Sequence, residues 1–276
     1  MIRRLLPRKV RAESCAPDAA LLLYVVLFFA FMLLPIIIVV VVAFSATEYI
    51  TFPIQGVSLR WFRRIYEYRP FFNSLRVTLE IAFLSALFGA LLGVPAALAL
   101  TRWKHPIASL AMTFLLSPLS MPFIVLGFAL LFFLSAVGFG ASFLSLLIAH
   151  TVVSLPYVVR TVAGVYRGLS PNLEESALVL GASKWQAFRY VTLPMIRPGI
   201  FAGCLFAILL SVDNLPISFF FGSPATSTLP VVMLSYLENS FDPSIAAVST
   251  VQLVFALTFL LVIERFYGLK GMAPAS

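Results

Sequence analysis

From Ala19 to Phe44 the chain runs without one charged side chain, and comparable apolar blocks recur almost to its end. An α-helix needs ~20 apolar residues to cross a bilayer, so each block has the length of a transmembrane helix. A soluble fold has no means of hiding them. Of the residues, 61% are hydrophobic and 11% charged, against roughly a quarter charged in a typical soluble domain. The fold class this predicts is all-α: a polytopic membrane protein with six transmembrane helices.

The spans are placed near 19–44, 73–101, 109–135, 142–161, 196–219 and 244–265. Arg76 and Glu80 interrupt the second only near its start, and the sixth is clean from Ile245 to Ile263. Gly138-Phe139-Gly140 supplies the turn that divides 107–160, because one uncharged helix of that length would far exceed the membrane. The basic stretch Met1 to Arg11 precedes the first block as it would in a signal peptide. That block is too long for a signal core and no small-residue cleavage pattern closes it, so it is expected to remain as the first span.

Charge then sets orientation. With the amino end inside, the inner segments hold Arg3, Arg4, Arg8, Lys9, Arg11, Arg102, Lys104, Arg160, Arg167, Lys184, Arg189, Arg197, Arg265 and Lys270. Only Arg60, Arg63, Arg64, Arg69 and Arg76 fall outside. Loops rich in Lys and Arg resist translocation, so both termini are expected in the cytoplasm. The outer Arg cluster is read as a short amphipathic surface helix with Trp61, Phe62, Ile65 and Tyr66 facing lipid. The net charge of +8 therefore marks topology; no basic stripe interleaved with aromatics points to nucleic acid. Cys15 and Cys204 lie far apart and offer neither a disulfide framework nor metal-ligand spacing.

Prolines recur inside or beside the spans, at Pro35, Pro95, Pro118, Pro122, Pro156 and Pro216. Each frees a backbone carbonyl, which a membrane tolerates only where neighbouring helices or a wet cavity satisfy it. A transporter or channel fits that pattern better than an inert anchor. Gly89 with Gly93, and Gly164 with Gly168, have the spacing that lets helices approach closely, and ordinary bundle packing accounts for it.

The longest inner loop, 162–198, is organised rather than merely polar. Ser170 before Pro171 reads as a helix start, since a hydroxyl can cap a free amide and proline needs no cap. Glu174 and Glu175 fall in the first turns, where they suit the helix dipole. Gly181 ends this helix; Ser183 with Gln186 forms a capping box for a second, which Pro194 is expected to stop. Two readings stand: a hairpin that merely connects two spans, or a docking element whose Ala177, Leu178 and Leu180, beside paired carboxylates, enter a partner's groove.

The run Glu175-Ser176-Ala177, three residues, Gly181, nine residues, Val191-Thr192-Leu193-Pro194 resembles the EAA loop of binding-protein-dependent ABC importer permeases. That pattern is Glu-Ala-Ala, three residues, Gly, nine residues, Ile, any residue, Leu, Pro; Ser176 and Val191 depart from it mildly. Ser211-Val212-Asp213-Asn214, then Gly222-Ser223-Pro224 and Leu229-Pro230, resembles the second permease of spermidine/putrescine-type importers. The family has two consecutive acids where this chain has Asp213-Asn214, and relatives in the group carry other solutes. The resemblance covers nearly the whole chain after the tail.

It implies a type I ABC importer permease fold in the bacterial inner membrane. The organisation expected is a cytoplasmic tail 1–18, a permease domain 19–268 containing the coupling-helix loop 162–198, and a tail 269–276. The chain would form the translocation path for a small polar solute, a polyamine first and otherwise an opine, aminophosphonate or amino acid. Glu174, Glu175, Ser176, Ala177, Gly181, Leu193 and Pro194 would couple it to an ABC ATPase dimer. A second homologous permease, a periplasmic solute-binding protein and membrane lipid complete the expected partners. No cofactor is expected in this chain, because ATP and Mg would be bound by the ATPase subunit.

Other polar residues carry paired readings. An acid within a span costs about 2.5–3.5 kcal/mol on insertion scales, so Asp213 either sits at the membrane interface or lines the path with Asn214 and favours a cationic solute. His150, mid-span, is read as a buried side chain bonded to a neighbouring carbonyl, with a proton relay as the alternative. Arg76 and Glu80, spaced i,i+4, are expected to pair, and Arg160 to snorkel. There is no phosphate-loop motif, so ATP must be hydrolysed on another chain. No hydrolase elbow, zinc-binding helix or intramembrane carboxylate dyad argues for an enzyme. An ion-coupled secondary transporter would show repeats and paired mid-membrane charges, neither of which is visible.

Overall fold

The computed structural model describes residues 19–223 and 226–267. The tails 1–18 and 269–276, with Cys15 and their basic residues, and Pro224 lie outside these. Within them, five helices are long and apolar enough to cross a bilayer: Ala19–Ala43, Arg69–Arg102, Phe143–Arg167, Lys184–Val212 and Ser244–Leu261. A sixth crossing is made if Pro106–Ser120 and Phe123–Ala136, bent by 111° at their junction, form one broken span.

The first span is α1 (Ala19–Ala43), and α2 (Arg60–Glu67) and α3 (Arg69–Arg102) follow. The third expected span, 109–135, is not one helix but α4 (Pro106–Leu116), a 3-10 turn at Ser117–Ser120 and α5 (Phe123–Ala136). The reason is local. Pro118 and Pro122 cannot donate to a helix, and Met121, ahead of Pro122, is driven extended at φ −96 and ψ 138. The glycine turn separates α5 from α6 (Phe143–Arg167) as expected.

The inner loop contributes α7 (Asn172–Val179) and α8 (Lys184–Ala187). Pro194 does not stop the second loop helix. A wide π-helical turn at Phe188–Thr192, in which Leu193 N–H reaches back to Phe188 O, carries the chain into α9 (Leu193–Val212). Such a turn inserts a residue into the helix, so Pro194 enters near the start of α9, where its missing donor costs little. The fifth span thus begins early and also ends early, at Val212 rather than 219; α10 (Leu215–Phe221), α11 (Leu229–Asn239) and α12 (Ser244–Tyr267) complete the chain.

Lipid tails are as apolar as leucine, so spans associate through close packing rather than water exclusion. The centre is α3, α6 and α9, joined through Ala82, Ala86, Val158, Val162, Ile196 and Ala207. A Cβ on Gly93 would stand 3.2 Å from Val158, so the expected glycine pair of α3 does seat α6. Gly164 differs: no atom lies within 4 Å of its Cβ position. A second close stripe against α6 is Gly199 and Gly203 of α9, a pair not singled out from the sequence. By contrast α1 is exposed along nearly all its length, with Val42 and Ala43 its buried residues, and it packs on α12.

At the end of the bundle away from α7, Trp61 and Ile65 of α2 are buried with Ala43, Phe71, Leu229, Tyr236 and Val248. This corrects the expectation that both face lipid. Their i,i+4 spacing gives α2 one apolar face, and the Trp61 indole needs an acceptor that lipid lacks; it donates to Ser45 O at 2.8 Å. Tyr66 does remain exposed. Arg76 and Glu80 pair at 2.7 Å.

Candidate functional site

Two regions hold the residues singled out from the sequence: the α7–α8 hairpin and the break between α9 and α10. In the hairpin, Ser170 makes no cap. Pro171 occupies the position before α7, and no side chain bonds an amide there. The first amides turn to backbone, Leu173 N–H to Ser170 O at 3.3 Å and Glu174 N–H to Pro171 O at 3.2 Å.

Adjacent residues on a helix point about 100° apart, and Glu174 and Glu175 divide accordingly. Glu174 faces inward. Its carboxylate accepts from Thr192 Oγ1 at 2.6 Å and Tyr166 Oη at 3.2 Å, and it forms an ion pair with Arg102. The Arg102 guanidinium lies over the Tyr166 ring, 4.2 Å from its centroid. One carboxylate thereby ties α7 to the ends of α3 and α6 and to the π turn leading into α9. Glu175 faces outward and exposed: its N–H donates to Pro171 O at 3.3 Å, while its carboxylate has no hydrogen bond or ion pair among the described residues.

The hairpin's tip is held by backbone. Gly181 has φ +91, a conformation that costs a residue with a Cβ about 1–2 kcal/mol. Its N–H donates to Leu178 O at 3.0 Å, and Ala182 N–H donates to Ala177 O at 3.0 Å. This is the Schellman arrangement, which satisfies two carbonyls at the end of α7. The capping box of α8 forms as expected: Gln186 N–H donates to Ser183 Oγ at 3.2 Å, and Ser183 N–H to Gln186 Oε1 at 2.7 Å.

The tip leaves apolar surface uncovered. Val179 is 87% and Leu180 88% exposed, with Leu178 and Trp185 also outward. Exposed apolar side chains grouped on a rigid projection mark an interaction site. Ser176 and Pro194 are exposed, whereas Ala177 and Leu193 are half-buried. Sequence reasoning missed Arg102, Tyr166 and Thr192, because no spacing rule links positions on four different elements. A carboxylate pair followed by a glycine did identify the hairpin itself.

At the second region α9 ends and Asp213 is exposed beside the break. Asn214 is buried instead, and its Oδ1 accepts from Ile217 N–H at 3.1 Å, which starts α10. His150 is buried too, but its partners are hydroxyls rather than a carbonyl: Nδ1 lies 2.8 Å from Ser211 Oγ and Nε2 3.0 Å from Ser218 Oγ. Among the described residues no three His, Cys, Asp or Glu side chains gather as a metal site requires.

Comparison with known proteins brings the two regions under one description. Residues 89–269 match the family described as binding-protein-dependent transport system inner membrane component. The chain is similar to the putrescine transport system permease protein PotI of Escherichia coli (strain K12), 33% identical over 202 residues covering 71% of this chain and 72% of that one. It is also similar to the spermidine/putrescine transport system permease protein PotC of the same strain, 29% identical over 207 residues, 75% and 78% of the two chains. Among solved structures, a bacterial ABC transporter involved in import of the acidic polysaccharide alginate superposes with a TM-score of 0.69 at 18% identity, covering 90% of this chain and 93% of that chain. That likeness shows the fold: the type I ABC importer permease.

Proposed function

This chain belongs to the family of binding-protein-dependent transport system inner membrane components, the permease subunits of ABC importers, and from that membership we propose that its solute is a polyamine. Putrescine and spermidine are named by the relatives PotI and PotC. The exposed carboxylate of Asp213 at the α9–α10 break suits a cationic solute, because charge of opposite sign lowers the cost of leaving water.

The working assembly is this permease with a second homologous permease, an ABC ATPase dimer on the cytoplasmic side that binds ATP and Mg, and a periplasmic solute-binding protein outside. Both termini lie in the cytoplasm, as does the α7–α8 hairpin. Closure of the ATPase dimer moves the hairpin, and the hairpin moves the spans from inward-open to outward-open. Glu175, Ser176, Ala177, Leu178, Val179 and Leu180 form the docking side, with Gly181 fixing the tip. Leu193 and Pro194 carry the motion into α9.

The observation that supports this most is the division of labour between neighbouring acids. Glu174 roots the hairpin in three long helices, while Glu175 and the apolar tip stand free for a partner. A loop that only connected two spans would gain nothing from a rooted, capped and apolar projection.

The test is reconstitution of the whole importer in proteoliposomes with labelled putrescine. Uptake is expected only with ATP and the binding protein, and uptake by the permease alone without nucleotide would refute the reading. Glu175→Lys is expected to lower uptake on the order of tenfold or more and to loosen retention of the ATPase on purification. Normal uptake by that variant would remove Glu175 from the contact. Asp213→Asn is expected to slow putrescine uptake several-fold with assembly intact. Unchanged putrescine uptake by that variant would remove Asp213 from the path, and absence of putrescine uptake by the parent importer alongside uptake of an opine, aminophosphonate or amino acid would transfer the substrate to that class.

A further inference from the structure

We propose that His150 is a positioning residue: it clamps the α9–α10 joint so that the exposed side of the break presents Asp213 to the solute. The inference deepens the transport reading and rests on it for the role of Asp213, but the clamp itself is a matter of geometry.

Within the joint, backbone supplies only short-range ties. Asn214 N–H donates to Ser211 O and Ser218 N–H to Asn214 O, at 3.4 and 3.3 Å. None of these fixes the angle of one helix to the other. Side chains from outside do. On one face, Gly127 of α5 lets α10 approach so closely that a Cβ there would stand 3.0 Å from Phe220 and 3.2 Å from Pro216 O. From α6, His150 spans the break, with one ring nitrogen on Ser211 in the last turn of α9 and the other on Ser218 in α10.

The chemistry of the clamp is selective. A neutral imidazole carries one N–H and one lone pair, so one serine accepts from it and the other donates to it. Both nitrogens are used only if the two serines keep their distances. His150 and Ser218 are each 1% exposed and Ser211 is 3% exposed, so no water substitutes for a lost partner, and an unpaired polar group there is costly. Three apolar residues would pack the same space without fixing the joint. Asp213 is exposed in the same break, its N–H on Leu209 O of α9 at 3.4 Å and its carbonyl accepting from Leu215 N–H of α10 at 2.9 Å, so rotation of α10 about the joint acts on the backbone that carries it.

The experiment uses the reconstituted importer with spin labels at Phe206 on α9 and Phe219 on α10, both exposed, in chains with Cys15 and Cys204 replaced by serine. The unsubstituted His150 protein is expected to give one narrow inter-label distance distribution. His150→Ala is expected to broaden or split it, and to lower putrescine transported per ATP hydrolysed by about tenfold while hydrolysis continues. That ratio separates positioning from folding, because a merely destabilised protein loses uptake and hydrolysis together. His150→Asn, which keeps a donor and an acceptor, is expected to recover part of both readouts.

If His150→Ala fails to assemble, Ser218→Ala cuts one bond alone and is expected to show the same changes at about threefold. An unchanged distance distribution overturns the clamp. A changed distribution with an unchanged transport ratio overturns the positioning role. Absence of putrescine uptake in the parent protein sinks the substrate assignment instead, and the distance measurement then decides the clamp by itself.

Discussion

Glu174→Ala is expected to leave the ATPase bound and hydrolysing while solute uptake falls by about thirtyfold. The substitution removes the acceptor of Thr192 Oγ1 and Tyr166 Oη and the partner of Arg102 in one step. Hydrogen bonds to a charged group contribute about 1.5–3 kcal/mol each when buried. The side chains of Arg102 and Glu174 are 30% and 25% exposed, so solvent screens part of that, and a loss of about 2 kcal/mol for the cluster is a fair expectation. That shifts the rooted hairpin toward an unrooted one by roughly thirtyfold. Because Glu174 points into the bundle, the docking side would survive, and the ATPase would push a hairpin no longer joined to α3 and α6. The measurement is putrescine transported per ATP hydrolysed, together with retention of the ATPase on purification. Loss of the ATPase with a normal ratio in what remains would make Glu174 a docking residue instead of a root. Glu174→Asp, which keeps the charge on a shorter arm, should fall between the two.

Five of the six expected spans, and their helical kind, were legible in the sequence because their signal is one-dimensional: uncharged length needs no knowledge of neighbours. The hairpin was legible for a related reason. Gly181, Ser183 and Gln186 act within a few residues of themselves, and each does in the structure what its position suggested. Three-dimensional partners were not legible. Arg102 reads in the sequence as one more loop charge, yet it is the counter-ion of a residue 72 positions away. The sequence suggests a nearby carbonyl for His150, whereas the serines it binds lie 61 and 68 residues on. Arginines flanking Trp61 suggest a lipid-facing surface helix, whereas its indole requires a buried acceptor. Proline was read with the right chemistry at Pro118 and Pro122 but without its consequence, a bend of 111°. At Pro194 the same rule failed, since a π turn took up the residue that would have ended the helix. Membership in the permease family now sets aside the ion-coupled alternative, while none of these contacts could have been read from that membership.

The glycines of the central bundle carry the second large prediction, and they show why a spacing motif is not yet a contact. Gly164 with Gly168 and Gly199 with Gly203 have the same i,i+4 pattern, but only the second pair lies against another helix. A Cβ on Gly203 would meet Thr161 Oγ1 at 2.5 Å and Val158 Cα at 2.8 Å; one on Gly199 would meet Thr161 O at 3.1 Å. Backbone atoms cannot rotate aside as a side-chain end can. Val158 is also met by α3, where a Cβ on Gly93 would stand 3.2 Å from it. α3, α6 and α9 all pack against one another, so α6 has little room to yield when α9 presses on it. Gly203→Val is expected to cost about 1–3 kcal/mol by overpacking, enough to lower the ratio of folded to unfolded permease by about fivefold to a hundredfold and the yield of assembled permease with it. Gly203→Ala should show a smaller loss, and Gly164→Ala none, since its Cβ would enter open space. Yield after detergent extraction and the thermal midpoint of the purified importer check all three. A Gly203→Val protein as stable as the Gly164→Ala control would mean that α9 does not seat on α6 at this depth. The path that α9 and α10 are proposed to line would then need a different wall.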